Sequence, residues 1–183
     1  MIRKAKTADI DSVAKIYDKI HDEEEKGLLT TGWKRGIYPT VKTANAAIER
    51  DDLFVLEENG QILGAAIFNK QQVDVYEKGN WRYKGQDSEI MVMHTLVIAP
   101  DHSNMGYGRI FEQYYEDYAR QNACSILRID TNEKNSRARA FYKALGYLEA
   151  GCVPCVFNGL ENVQLVLLEK ELSSRLQKQL SKD

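Results

Sequence analysis

Residues 102–109 read HSNMGYGR and join an apolar run, IMVMHTLVIAP at 90–100, to a helical pattern, IFEQYYEDYARQ at 110–121. Glycines and an asparagine that tolerates a left-handed backbone fill this junction, as they do where a strand turns into a helix. A helix that begins near Gly108 would point free N–H groups and the positive end of its dipole at the loop. The stretch therefore predicts a binding site for a phosphate-type anion.

Two common phosphate loops are excluded by the residues around this junction. A Walker A loop requires Gly-Lys-Ser/Thr, which is absent, and the dinucleotide fingerprint would need glycine where Phe111 stands. The two glycines, Gly106 and Gly108, would also suit a tight turn with no ligand. The loop taken alone leaves both interpretations open.

The composition of the chain excludes several classes of protein. The length of 183 residues suits one domain, which we place at 1–172, followed by a polar tail at 173–183. A net charge of −2 without a basic block disfavours nucleic-acid binding. No apolar stretch reaches the roughly 20 residues that span a bilayer, and the first residues lack the apolar core of a signal peptide. Three cysteines suit a reducing compartment, so we expect a cytoplasmic protein.

Hydrophobic periodicity predicts the element order β-α-α-β-β-β-α-β-α-β-β. Two Asn-Gly pairs, at 59–60 and 158–159, mark hairpins, and the polar stretch 70–88 is predicted as a long loop. Strands interleaved with helices in this order indicate an α/β (α+β) fold, in which helices cover a mixed sheet.

A second motif follows the loop by about thirty residues, in the stretch NEKNSRARAFYKALGY at 132–147. Together, the LVIAP strand end at 96–100, the loop and this stretch resemble the GNAT superfamily of N-acetyltransferases. Members of that family carry an L-x-V-x-P strand, a [Q/R]-x-x-G-x-G/A loop and an N-x-x-A-x-x-[F/Y]-Y-x-x-x-G-[F/Y] helix, in this order. The resemblance implies a mostly antiparallel sheet of about seven strands flanked by about four helices.

The resemblance also implies that the anion is the pyrophosphate of acetyl-CoA. It assigns the pantetheine arm to the backbone of Leu96, Val97 and Ile98, and a cofactor contact to Asn135. The pyrophosphate would lie against the loop residues Ser103, Asn104, Met105, Gly106, Tyr107, Gly108 and Arg109. The chain departs from the family at Ser103, where Gln or Arg is usual.

The family chemistry is direct attack of a neutral amine on the acetyl thioester. Tyr142 matches the family tyrosine near the CoA sulfur and is our predicted proton donor to the departing thiolate. The general base is left open between Glu89 and His94, since each is equally an ordinary polar residue of its strand. Trp33, Tyr38 and Trp81 are candidate walls of the acceptor site or, alternatively, core aromatics.

Cys152 and Cys155 form a C-x-P-C pair that can be mistaken for a redox motif. They lie in a predicted strand, whereas a thioredoxin-type pair needs a helix N-terminus, and we expect no metal site.

The sequence thus predicts an N-acetyltransferase that acts on a primary amine of a small-molecule acceptor. A non-catalytic acyl-CoA-binding module on the same fold and a protein or peptide N-acetyltransferase are the alternatives. Homodimer formation is left open.

Overall fold

A computed structural model describes residues 1–172, so the predicted polar tail at 173–183 lies outside the described residues. The strands are β1 (Ile2–Lys4), β2 (Leu53–Glu58), β3 (Gln61–Asn69), β4 (Ile90–Ile98), β5 (Ile126–Asn132), β6 (Leu148–Phe157) and β7 (Leu160–Glu171). The α-helices are α1 (Ile10–Glu25), α2 (Val41–Glu49), α3 (Tyr107–Gln121) and α4 (Ser136–Ala144). This order confirms the predicted α/β fold.

One sheet contains all seven of these strands, in the order β1-β2-β3-β4-β5-β7-β6. Only the β4–β5 pair is parallel among them, so the sheet is mixed and mostly antiparallel. Both predicted hairpins form, with positive φ at Asn59, Gly60, Asn158 and Gly159. Asparagine and glycine adopt positive φ at low cost, which is why these pairs join antiparallel strands.

Helices cover both faces of the sheet and bury its two sides. On one face, Phe111 and Tyr115 of α3 and Tyr142 of α4 belong to one buried cluster with the central strands. On the other, Tyr17 of α1 and Ala44 of α2 pack over β2 and β3. None of the helices within residues 1–172 is long and apolar enough to cross a bilayer.

The sheet opens between β4 and β5. These strands pair only at Ile90–Val92, opposite Ile126–Arg128, and beyond that point β5 continues with β7 alone. On the side that faces β5, the second half of β4 therefore has backbone groups that pair with no strand of residues 1–172.

A bulge in β4 accompanies this opening. Val97 pairs with Ala65 and His94 with Ile67, so β4 carries one extra residue, and Thr95 has a φ of 52°. A bulge shifts the alternation of side chains. Leu96 consequently packs on the side of Met93, whereas regular pairing would have put Leu96 and His94 on one face of the strand.

Candidate active site

A cavity of about 640 Å³ lies where β4 and β5 separate. One part, which we call the loop half, is lined by residues 96–98 of β4, most of the loop 102–109 and several residues of 135–142. The other part, the aromatic half, lies toward the connection between α1 and α2. Its lining includes Leu28 through Trp33, Tyr38, His94, Thr95, Asp130 through Asn132, Phe157, Leu160, Val163 and Leu165.

The loop before α3 presents a row of free donors. Asn104 and Gly106 have φ of 63° and 87°, which turns the chain sharply before the helix begins at Tyr107. Within residues 1–172, the backbone N–H groups of residues 104–108 donate to no protein acceptor. Free N–H groups at a helix N-terminus attract an anion, and this row has the chemistry that a diphosphate needs.

Some side chains of the loop line the cavity, and others hold the loop in place. Ser103, Asn104, Gly106, Tyr107, Gly108 and Arg109 line the cavity, whereas the side chain of Met105 is 59% exposed and does not. The Tyr107 hydroxyl donates to Glu58 Oε2 at 2.6 Å and so fastens the first turn of α3 to the end of β2. A Cβ at Gly108 would come within 3.3 Å of Phe141 Cζ, so glycine lets α3 and α4 approach closely.

Arg137 is a residue of the loop half that the sequence analysis missed. Its Nη2 donates to Asn104 Oδ1 at 2.8 Å, so this α4 residue places a positive charge beside the loop. With Arg109, it makes two arginines that line this half of the cavity. Its position two residues after Asn135, in the first turn of α4, is the only signal that the sequence offers.

Asn135 begins α4 as its N-cap and lines the cavity. Its Oδ1 accepts a hydrogen bond from Ala138 N at 3.1 Å. The predicted cofactor residue therefore has a clear structural duty as well, because an N-cap satisfies a donor of the first turn. Only its amide nitrogen is left to donate to a ligand.

Tyr142 reaches the cavity from α4 while its ring is nearly buried in the core. Burial raises the pKa of its phenol, and the acids Asp130 and Glu112 raise it further. The hydroxyl consequently stays protonated near neutral pH and can act as a proton donor.

Most of the chain is similar in sequence to a known protein family. The model of the family described as Acetyltransferase (GNAT) family matches residues 14–147. The chain belongs to the GNAT family of acetyltransferases. This family uses acetyl-CoA, so the predicted acyltransferase class and its co-substrate are confirmed.

Individual relatives of this GNAT chain are distant. It is 24% identical to the uncharacterized N-acetyltransferase YhfO of Bacillus subtilis (strain 168) over 81% of this chain and 89% of YhfO. Ard1 of Thermoplasma volcanium superposes with a TM-score of 0.71 at 14% identity, covering 95% of this chain and 98% of that one. YncA of Salmonella typhimurium, solved with its cofactor acetyl-CoA, gives 0.66 at 20% identity, covering 96% and 95%.

Asp130 of β5 is a second residue that the sequence analysis missed in this GNAT chain. It lines the cavity, and its Oδ2 accepts a hydrogen bond from the Tyr76 hydroxyl at 2.7 Å. Burial raises the pKa of Asp130 to about 6, although the bond from Tyr76 acts in the opposite direction. A carboxylate with this pKa is ionised at neutral pH and still accepts a proton readily.

The two predicted bases occupy different places. His94 lines the cavity, but its Nε2 is paired with Asn69 Oδ1 at 3.0 Å, and burial lowers its pKa to about 4. Glu89 is exposed in the turn just before β4, outside the cavity lining, and its Oε2 accepts a hydrogen bond from Gln86 N at 2.8 Å. The structure brings His94 to the site and leaves Glu89 away from it.

The predicted acceptor aromatics also separate. Trp33 and Tyr38 line the cavity with their rings 5.8 Å apart, edge to face, and the Tyr38 hydroxyl pairs with Thr95 Oγ1 at the bulge. Trp81 is buried outside the cavity lining, where its Nε1 donates to Tyr76 O at 2.6 Å. The Arg128 guanidinium lies 3.9 Å from the Trp81 ring centroid, so Trp81 packs the 70–88 segment into the core.

Two polar residues outside the proposed chemistry shape the surroundings of the cavity. His102 is half-buried and lines the cavity. Glu24, in the acidic run 22–25 at the end of α1, accepts hydrogen bonds from the backbone N–H groups of Thr31 and Gly32 at 2.7 and 2.8 Å. Glu24 therefore organises the loop that carries Trp33.

Cys152 and Cys155 both lie in β6, as predicted. Cys155 is three positions after Cys152, so the two side chains point to opposite faces of the strand, and neither forms a disulfide. Burial raises the pKa of both thiols, which is the reverse of what a reactive redox pair requires.

Proposed function

We propose that this GNAT protein transfers the acetyl group of acetyl-CoA to a primary amine of a small-molecule acceptor by direct attack. The observation that carries the proposal is that Asp130 and Tyr142 line one cavity, where burial raises both pKa values. The carboxylate can therefore accept a proton near neutral pH while the phenol still has one to give.

The residues of the loop half fit acetyl-CoA. The free N–H groups of residues 104–108 and the start of α3 suit its diphosphate. The open edge of β4 at Leu96–Ile98 suits the amide groups of its pantetheine arm, which can pair with a strand as another strand would.

Arg137 can supply the long side-chain donor that is missing at position 103, where Ser replaces the usual Gln or Arg. The Arg137 guanidinium extends from α4 to the same loop, where a 2.8 Å hydrogen bond to Asn104 holds it. We assign Arg137, with Arg109, to charge neutralisation at the phosphates, because arginine is well suited to phosphate oxygens.

Acetyl-CoA supplies an acetyl thioester as the group to be transferred. Asp130 accepts the proton that the amine nitrogen loses as its bond to the acetyl carbon forms. Tyr142 donates a proton to the sulfur as the carbon–sulfur bond breaks. One residue has then gained a proton and the other has lost one, so exchange with water restores both.

In this scheme His94 has a structural role and is not the general base. With a pKa of about 4, its imidazole is neutral near neutral pH and has little affinity for a proton. Its bond to Asn69 instead links the acceptor side of β4 to β3.

The experiment that tests the proposal is a screen of primary amines with acetyl-CoA, read by mass spectrometry of the acetylated product. A thiol-reactive dye is unsuitable because Cys152 is exposed. We expect amine-dependent product that disappears when Asp130→Asn and Tyr142→Phe are combined. A folded protein that binds CoA but acetylates no amine would contradict the proposal.

A further inference from the structure

The aromatic half of the cavity has a wall made mainly of apolar side chains. Trp33, Tyr38 and Phe157 pack in one cluster with Leu160, Val163 and Leu165 of the β6–β7 hairpin. All six line the cavity. A ligand that enters this half therefore exchanges water for aromatic and aliphatic surface, which favours an apolar body.

The rim of this half is apolar too. Leu28 lines the cavity yet is 67% exposed, and Ile37 beside the hairpin is 47% exposed. A Cβ at Gly159 would lie 3.4 Å from Ile37 Cγ2, so the connection between α1 and α2 closes on the hairpin tip. Exposed apolar side chains at the mouth of a cavity are typical of a binding surface.

Acids are the ionised side chains of the aromatic half. Glu23 and Asp130 line it, whereas no lysine or arginine of residues 1–172 does. The arginines of the cavity, Arg109 and Arg137, belong to the loop half.

Neighbouring cations are already paired with other groups. Lys26, outside the cavity lining, forms an ion pair with Glu23 at 3.2 Å. Arg35 forms ion pairs with Asp22 at 2.5 Å and Glu25 at 2.8 Å on the outer side of α1. Arg128 lies against the Trp81 ring, below the 70–88 segment. An acceptor carboxylate or phosphate in the aromatic half would thus meet Asp130 and find no unpaired cation of the described residues there, and a charge without a partner is costly to bury.

We infer that the acceptor is an arylalkylamine: a primary amine on an aromatic body, without an anionic group beside the nitrogen. This inference rests on the proposed function and adds the substrate class. Aromatic and aliphatic walls take the body, and Asp130 takes the amine. A free α-amino acid with the same side chain is rejected because its carboxylate would lie next to Asp130.

Three matched indole amines test the inference: tryptamine, L-tryptophan and L-tryptophan amide. We expect kcat/KM for tryptamine to exceed that for tryptophan by about 100-fold, the effect of one unpaired buried charge. The amide, which has the size of tryptophan without its charge, should recover most of the difference. A tryptophan rate equal to that of tryptamine, or an amide as poor as tryptophan, would overturn the inference.

A variant sharpens the same test. Thr30 is exposed at the edge of the aromatic half, so Thr30→Arg adds a cation at a position that tolerates a long side chain. We expect it to reduce the preference for tryptamine over tryptophan by about five-fold or more, with Thr30→Gln as the uncharged control. An unchanged ratio would count against charge as the basis of selection.

Failure of the inference and failure of the proposed function give different results. Acetylation of small polar or carboxylate-bearing amines without acetylation of tryptamine would overturn the substrate class alone. No product from any amine, in a protein that binds CoA, would remove the proposed function and the inference with it.

Discussion

The two halves of the cavity are built in different ways. The loop half comes from two short stretches, around 96–109 and 135–142, and offers mainly backbone N–H groups and a strand edge. The aromatic half is assembled from side chains of segments far apart in the chain, between residue 23 and residue 165. Binding by backbone leaves a contiguous motif in a sequence, whereas selection by side chains from scattered segments leaves none.

The largest expected effect concerns the chemistry between the halves. Asp130→Asn removes the proposed base but keeps an acceptor for the Tyr76 hydroxyl, so we expect kcat/KM to fall by about 100-fold or more. Wild-type activity should also decline as pH falls through about 6, because the active form of Asp130 is the deprotonated one. The asparagine variant should lack this acid limb.

His94→Gln is the control for that pH profile. A histidine with a pKa of about 4 does not titrate at pH 6, so the acid limb should stay where it is. If the histidine variant moved the limb and the Asp130 variant did not, the assignment of the base would be reversed.

Tyr142→Phe should lower kcat by about 100-fold and leave the Kd of CoA unchanged, since the hydroxyl acts on the leaving group. Tyr147→Phe is matched to it: the two rings are 5.5 Å apart, and Tyr147 is buried outside the cavity lining. Single-turnover rates and CoA titrations of both variants make the comparison. An equal loss in both would indicate a packing defect instead of a missing donor.

Arg137→Ala tests the loop half alone. We expect the Kd of CoA to rise about five-fold, and the increase to shrink in high salt, because an exposed guanidinium contributes a modest, screened attraction. Arg139→Ala is the control, since Arg139 pairs with Glu149 at 2.8 Å and does not line the cavity. Equal Kd values for the two variants would remove Arg137 from the phosphate site.

The smallest effect is expected in the aromatic half. Tyr38→Phe deletes the pairing with Thr95 that holds the α1–α2 connection on the β4 bulge, and the acceptor KM should rise about three- to five-fold. CoA affinity should not change. Tyr83→Phe, outside the cavity lining, should alter neither constant, and steady-state kinetics with both substrates varied would separate the two.

The same contrast explains what the sequence could predict. Asn59-Gly60, the loop at 102–109 and the α4 motif are local signals whose meaning depends on few neighbours, and the elements they predict are present. In the sequence, Asp130 is one polar residue at the end of a strand. It lines the cavity only because β4 and β5 separate next to it. In the sequence, Trp81 stands among charged residues like an aromatic of a binding site. In the structure it packs against Arg128 and Tyr76 and is part of the core.

The most direct test of this division is a calorimetric titration of CoA into the wild-type protein and the Asp130→Asn variant, with adenosine as the control ligand. Our account predicts saturable one-to-one binding of CoA with the same Kd in both proteins, because the loop half holds CoA without Asp130. Absence of saturable binding in folded wild-type protein, or its loss in the variant alone, would contradict the account.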